Sequence, residues 1–156
     1  SIEECHGGKF KNKLFNNNAS SISRDNGWLE INNNWYLNKS KHPTRYFNSF
    51  NTFMKFILKN YNSQKYIRFC PGANYIVPRN NILKFSKYFY QNLKFLIEYS
   101  QLSGESHILE RSLYSIWNST YEESDIMKKL FNKNTVFPKK DGFMKIIAKK
   151  IISKII

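Results

Sequence analysis

The clearest periodic pattern in the chain is YFNSFNTFMKFILKNY, residues 46–61. Tyr46, Phe47, Phe50, Phe53, Met54, Ile57, Leu58 and Tyr61 recur there at intervals of three and four. That spacing predicts an amphipathic helix whose aromatic stripe is core rather than a base-stacking platform. A second helix is predicted over residues 81–99, with Asn80 as N-cap and Ile82, Leu83, Phe85, Phe89, Leu93, Leu96 and Ile97 on one face. After a break at Ser100–Gly104, a third is predicted over about 106–118, turning Ile108, Leu109, Leu113, Ile116 and Trp117 inward. Ser119-Thr120-Tyr121-Glu122 matches a capping box, so a further short helix is predicted to run to about Phe131.

Strands are fewer. Residues 66–69 and 73–77 read as β, split by Pro71-Gly72-Ala73 and ended by Pro78. Residues 28–37, WLEINNNWYL, suggest a hairpin or an irregular strand, and residues 1–27 read as loop. The last segment, DGFMKIIAKKIISKII, gathers Met144, Ile147, Ile151, Ile152 and Ile155 on one helical face and lysines on the rest. Such a basic amphipathic helix either anchors at a membrane surface or docks on its own domain. The expected class is mixed α/β and helix-rich, with one domain over residues 1–138 and the basic helix over 139–156.

Composition narrows the classes. The chain's 156 residues suit one domain, and 41% hydrophobic content is globular rather than disordered. No apolar run approaches the ~20 residues of a membrane span. Two distant cysteines, Cys5 and Cys70, make no disulfide framework and read as free thiols in a reducing compartment. With His6, His42 and His107 scattered as well, no zinc spacing is present. The net charge of +14 favours anionic partners, although AT-rich codons also enrich Lys and Asn. Phosphate-loop, dinucleotide, HExxH and GxSxG motifs are all missing, and no D-x-D pair occurs.

Two features remain as candidate chemistry. The loop Pro71-Gly72-Ala73 precedes a strand; it is either a plain turn or a place where backbone approaches a ligand closely. Glu110-Arg111, inside LERSLYSIW, sets a candidate general base beside a guanidinium. Its structural alternative is an ion pair. His107 lies three residues earlier on the same helical side, where it would share the site or cap the helix.

In order, these segments are an aromatic before P-G-A, an apolar strand to Pro78-Arg79, Asn81-Ile82-Leu83, Phe89-Tyr90 with Leu93, and ILERSLYSIW at Ile108–Trp117. Over residues 66–118 this order resembles the C-terminal half of a glycosyltransferase-like family of bacterial surface-polysaccharide gene clusters and fungi. The resemblance implies a partial GT-A-like domain transferring a sugar from a nucleotide-sugar donor to a surface polysaccharide or lipid-linked acceptor. It implies Glu110 and Arg111 as catalytic residues, and Gly72, Ala73, Asn74, Arg79 and His107 as substrate-binding ones. Arg111 stands where the family commonly has an acid, so Glu110 would either act as base or orient Arg111 toward the diphosphate. Any Mn or Mg would need ligands from a missing N-terminal half; this chain supplies none. The chain starts without Met, which fits a fragment. The expected place is cytoplasmic, at the inner face of the plasma membrane, with residues 141–156 on an anionic leaflet. The alternative class is a basic nucleic-acid-binding or membrane-peripheral non-catalytic module.

Overall fold

The computed structural model describes residues 3–4, 19–22, 28–42, 45–73 and 75–130. The fold is mixed α/β, with five helices and small antiparallel sheets among those residues. The predicted basic helix over 139–156 lies outside them, as does Asn74.

In chain order the elements are β1 (Glu3–Glu4), β2 (Ala19–Ile22), β3 (Trp28–Ile31), α1 (Phe50–Ile57), β4 (Leu58–Lys59), β5 (Tyr66–Phe69), a 3-10 turn (Pro71–Ala73), β6 (Tyr75–Ile76), α2 (Arg79–Leu83), α3 (Lys87–Ile97), α4 (Gly104–Asn118), β7 (Glu122–Glu123) and α5 (Asp125–Leu130). The main sheet runs β2-β3-β5, all antiparallel, with Glu30 opposite Ile67 and Trp28 opposite Phe69. Two short ladders, β1 with β6 and β4 with β7, close the ends of loops.

The aromatic stripe is core, as its periodicity requires. Phe47, Phe50, Phe53, Met54, Ile57, Leu58 and Tyr61 are all buried. Their rings meet edge to face, Phe47 with Phe53 at 5.1 Å and with Phe56 at 5.2 Å, the arrangement aromatic quadrupoles prefer. The helix is nevertheless shorter than its pattern. Ser49 caps it, accepting from the Thr52 N–H at 3.1 Å, and its last residue is followed directly by β4. Leu58 is therefore buried from strand β4 and Tyr61 from beyond the left-handed Asn60, which apolar spacing cannot distinguish from one more helical turn.

The helix predicted over 81–99 is two helices. Pro78 stands at the start of α2, and Ser86 restarts the chain as the cap of α3, accepting from the Phe89 N–H at 3.1 Å. Phe85, between them, stacks on Phe89 at 4.2 Å and is buried, so the bend aims one ring inward. The capping box at Ser119–Glu122 is not used. Ser119 ends α4, donating its N–H to the Ser115 carbonyl, and Glu122–Glu123 pairs with β4. Helix α5 is capped by Ser124 instead, which also donates to the Phe56 carbonyl at the end of α1. The strand predicted over 73–77 shrinks to β6, whose Ile76 is exposed rather than buried. The segment 28–37 is one central strand followed by turns, and strands β1 and β2 lie within the predicted loop 1–27.

Those turns rest on asparagines that composition had suggested were codon bias. Asn32 donates to the Gln64 carbonyl at 2.8 Å and to Asn51 at 3.0 Å. The Asn33 side chain accepts from the Trp35 N–H. Asn34 takes φ 59°, which Asn tolerates, and accepts the Phe50 N–H at 2.7 Å, satisfying an orphan donor of α1.

At the other end of this turn region, Glu105 is a fully buried carboxylate. It accepts the N–H groups of Tyr46 and Phe47 at 2.5 and 2.9 Å, and the Tyr99 hydroxyl donates to its second oxygen. Gly104 beside it sits in a tight place: a Cβ there would stand 3.2 Å from Leu37 Cδ2 and 3.4 Å from the Arg45 Cβ. Among the described residues no helix is long and apolar enough to cross a membrane.

Glu105→Ala removes the acceptor from two backbone N–H groups and a phenol in one step. It is expected to lower stability by about 2–4 kcal/mol in urea denaturation, against about 1 kcal/mol for Tyr99→Phe, which removes a single donor.

Candidate functional site

Helix α4 carries most of the candidate chemistry, and its inner face is not the one apolar spacing selects. Gly104, Glu105, Ile108, Arg111, Ser112, Ser115 and Ile116 are buried, whereas Leu109, Leu113 and Trp117 are only half so. Small serines face the sheet, and the two long buried side chains are charged. The helix is turned by what Glu105 and Arg111 must reach.

Arg111 reaches Glu30, in the centre of β3. Its Nε donates to one carboxylate oxygen at 2.9 Å and its Nη2 to the other at 3.2 Å. The side chains are 8% and 3% exposed, so this is a bidentate ion pair in the interior. Aromatic faces enclose the guanidinium: Tyr36 at 3.8 Å, Phe69 at 4.7 Å and Trp35 at 5.7 Å from its centre. A delocalised planar cation suits that box, where a lysine would lack both the fork and the stacking. Burial lifts the Tyr36 hydroxyl well above its ordinary range, with Arg111 opposing and Glu30 adding to the rise.

The remaining nitrogen, Nη1, faces the other way. It lies 3.3 Å from the His107 carbonyl and 3.4 Å from Glu110 Oε2. Glu110 itself is partly open, with its side chain 28% exposed. Its Oε1 accepts the Gly72 N–H at 2.6 Å, across 38 residues of sequence. The two motifs singled out in the sequence, Pro71-Gly72-Ala73 and Glu110-Arg111, are thus joined by one hydrogen bond.

The loop is made for that bond. Gly72 has φ 77° and Ala73 φ 55°, both left-handed, the second a cost of roughly 1–2 kcal/mol for a residue with a Cβ. Ala73 donates to the Cys70 carbonyl at 3.0 Å, and the Tyr75 hydroxyl accepts the Cys70 N–H at 2.6 Å. Tyr75 packs edge to face on Trp117 of α4, 5.4 Å away. The turn is held at both ends, with Gly72 and Ala73 exposed over the helix.

The other predicted site residues divide. His107 is half-buried in α4 and its ring lies 4.6 Å from that of buried His42. It does not cap the helix, since Ser103 does. The His42 Nδ1–H donates to the Leu102 carbonyl at 3.1 Å, because a carbonyl can only accept. Burial, His42 and Arg111 hold the His107 imidazole below its ordinary value, against the pull of Glu110. Arg79 is exposed as the first residue of α2, which lies against α4. Residues that sequence reasoning missed are Glu30, Tyr36, Trp35 and His42. The available signal was a glutamate between Leu29 and Ile31 in an otherwise apolar strand. Among the described residues no three His, Cys, Asp or Glu side chains gather as metal ligands.

Two outcomes follow from this geometry. Arg111→Met strands Glu30 in the interior and is expected to cost roughly 3–5 kcal/mol by urea denaturation, whereas the Glu30→Met/Arg111→Met double variant recovers most of that loss. For His107, the folded state disfavours the protonated ring, so its contribution is fully present above the ordinary value and fades as pH falls. His107→Gln is therefore expected to flatten the loss of stability as pH falls below the ordinary histidine value of about 6.5, read as the urea midpoint at each pH.

Compared with known proteins, no family model, no curated protein and no solved structure matches this chain.

Proposed function

We propose that this chain is a glycosyltransferase-like domain of GT-A type, using Glu110 as the base for transfer from a nucleotide-sugar donor. One observation carries the reading. A partly exposed carboxylate is held on the backbone of a side-chain-poor loop, Glu110 Oε1 to Gly72 N at 2.6 Å, in a place both donor and acceptor could approach. The loop carries no side chain larger than a methyl at Gly72 and Ala73, and both residues are exposed.

In this reading the acceptor hydroxyl attacks the anomeric carbon as its proton passes to Glu110. The bond from that carbon to the diphosphate oxygen breaks, and the nucleoside diphosphate leaves with the electron pair. Arg111 is not a contact to that diphosphate. Three of its nitrogens are directed at Glu30, Glu110 and the His107 carbonyl, and it is buried. It acts as a positioning residue that fixes Glu110 against the loop. The charge on the leaving group falls to cations beside α4, among them Arg79 on α2, which packs against that helix, and Arg68, whose guanidinium lies 4.9 Å from the Tyr114 ring. A divalent cation, if used, would take its ligands from outside the described residues. The acceptor is a surface glycan or a lipid-linked sugar.

Glu110→Gln keeps an oxygen for the Gly72 N–H and removes the basic site, together with the long 3.4 Å acceptor contact to Arg111 Nη1. It is expected to leave the thermal midpoint near wild type while lowering transfer from a panel of nucleotide sugars by roughly 10²–10⁴-fold in the full-length protein. Unchanged turnover removes Glu110 as base, and wild-type protein that neither turns over nor binds any nucleoside diphosphate removes the reading.

A further inference from the structure

The corner between α2 and α3 exposes two adjacent aliphatic side chains. Ile82 is 39% exposed and Leu83 61% exposed, adjacent at the end of a five-residue helix. Arg79 stands three and four residues before them, so all three share one side of α2. Lys87 opens α3 just beyond and is also exposed. The corner is held from beneath. Buried Phe85 stacks on Phe89, the Tyr90 hydroxyl donates to the Ile82 carbonyl at 2.8 Å, and Lys84 Nζ donates to the Ser119 carbonyl. Two aliphatic side chains are therefore projected outward by a braced backbone rather than left over on a loose loop.

Charge selects the occupant. At the corner itself, residues 79–87 hold three exposed cations, Arg79, Lys84 and Lys87, and no Asp or Glu. The nearest following acid, Glu98, pairs with Lys94 at 3.6 Å at the far end of α3. A protein partner that matched the cations would need acids around an apolar socket, and a nucleic acid would leave Ile82 and Leu83 facing phosphate. An anionic bilayer surface satisfies both at once: aliphatic side chains enter the acyl boundary while cations sit among the headgroups. We infer that the α2–α3 corner, with Ile82 and Leu83 inserted and Arg79 and Lys87 at headgroup level, is a docking surface for an anionic lipid leaflet. The inference uses no residue of 141–156 and does not rest on Glu110 being a catalytic base.

The test is co-sedimentation of the full chain with phosphatidylcholine vesicles, with and without phosphatidylserine. Binding is expected only with phosphatidylserine. Ile82→Ser/Leu83→Ser is expected to weaken it roughly tenfold through lost apolar burial, and Arg79→Gln and Lys87→Gln roughly fivefold each. All four side chains are exposed, so circular dichroism and the thermal midpoint should stay unchanged. Leu83→Trp gives a second reading that needs no loss of binding: its emission should shift to the blue on adding the anionic vesicles. Unshifted emission, or full vesicle binding by Ile82→Ser/Leu83→Ser, overturns the inference. So does binding lost only in Ile147→Ser/Ile151→Ser/Ile155→Ser, which would assign the anchor to the C-terminal segment. Binding to random-sequence RNA with none to vesicles would assign the cations to nucleic acid and overturn it equally.

Discussion

One buried ion pair organises the centre of this protein. Glu30 sits in the middle strand of the main sheet, where a charged group has no water to face. Such a carboxylate is tolerable only with a partner that fills both oxygens, and the Arg111 fork does so at 2.9 and 3.2 Å. The requirement sets the rotation of α4 over β5. It brings Ser112 and Ser115 inward, and it leaves Leu109 and Leu113 only half-buried despite their apolar side chains. It also fixes the preceding residue, Glu110, pointing toward the turn that follows β5.

The candidate site is therefore a by-product of core geometry. Once Arg111 is locked, Glu110 lies within reach of Gly72, whose left-handed backbone presents an N–H to it. The neighbouring His107 is drawn into the same cluster against His42, and burial there disfavours its charged form. At the start of the same helix, Glu105 binds the backbone of the segment leading into α1. One helix thus uses three acidic or basic side chains to hold the central strand, the turn after β5 and the approach to α1. Hydrophobic burial supplies the core, but these polar contacts decide how the elements are oriented around it.

Sequence periodicity performed best where burial was one-sided and apolar. The stripe from Phe47 to Tyr61 is buried as its spacing requires, even though its last residues lie beyond the helix. It failed where the decisive contact was polar or distant. A capping box at Ser119 is sound local chemistry, but Ser119 was already needed to end α4, and β4 claimed Glu122 and Glu123 as strand partners. The helix over 81–99 looked continuous because Phe85 fits the stripe; nothing local revealed that Ser86 restarts the chain as a new cap. The asparagine run after β3 looked like composition, yet each of Asn32, Asn33 and Asn34 accepts or donates a bond that shapes the turn.

By itself the sequence determined the class and the parts: a mixed, helix-rich α/β chain, an aromatic helix for its core, a small-residue turn and a Glu-Arg pair worth attention. These are legible because they depend on spacing, side-chain size and backbone freedom, all local properties. Only the tertiary structure decided what the parts touch. It placed Arg111 on Glu30, 81 residues away, and so made it a structural cation, and it placed Glu110 on the Gly72 backbone, 38 residues away. Neither partner could be read from spacing, because the desolvation of a charge is set by everything packed around it, and that environment exists only once the chain has folded.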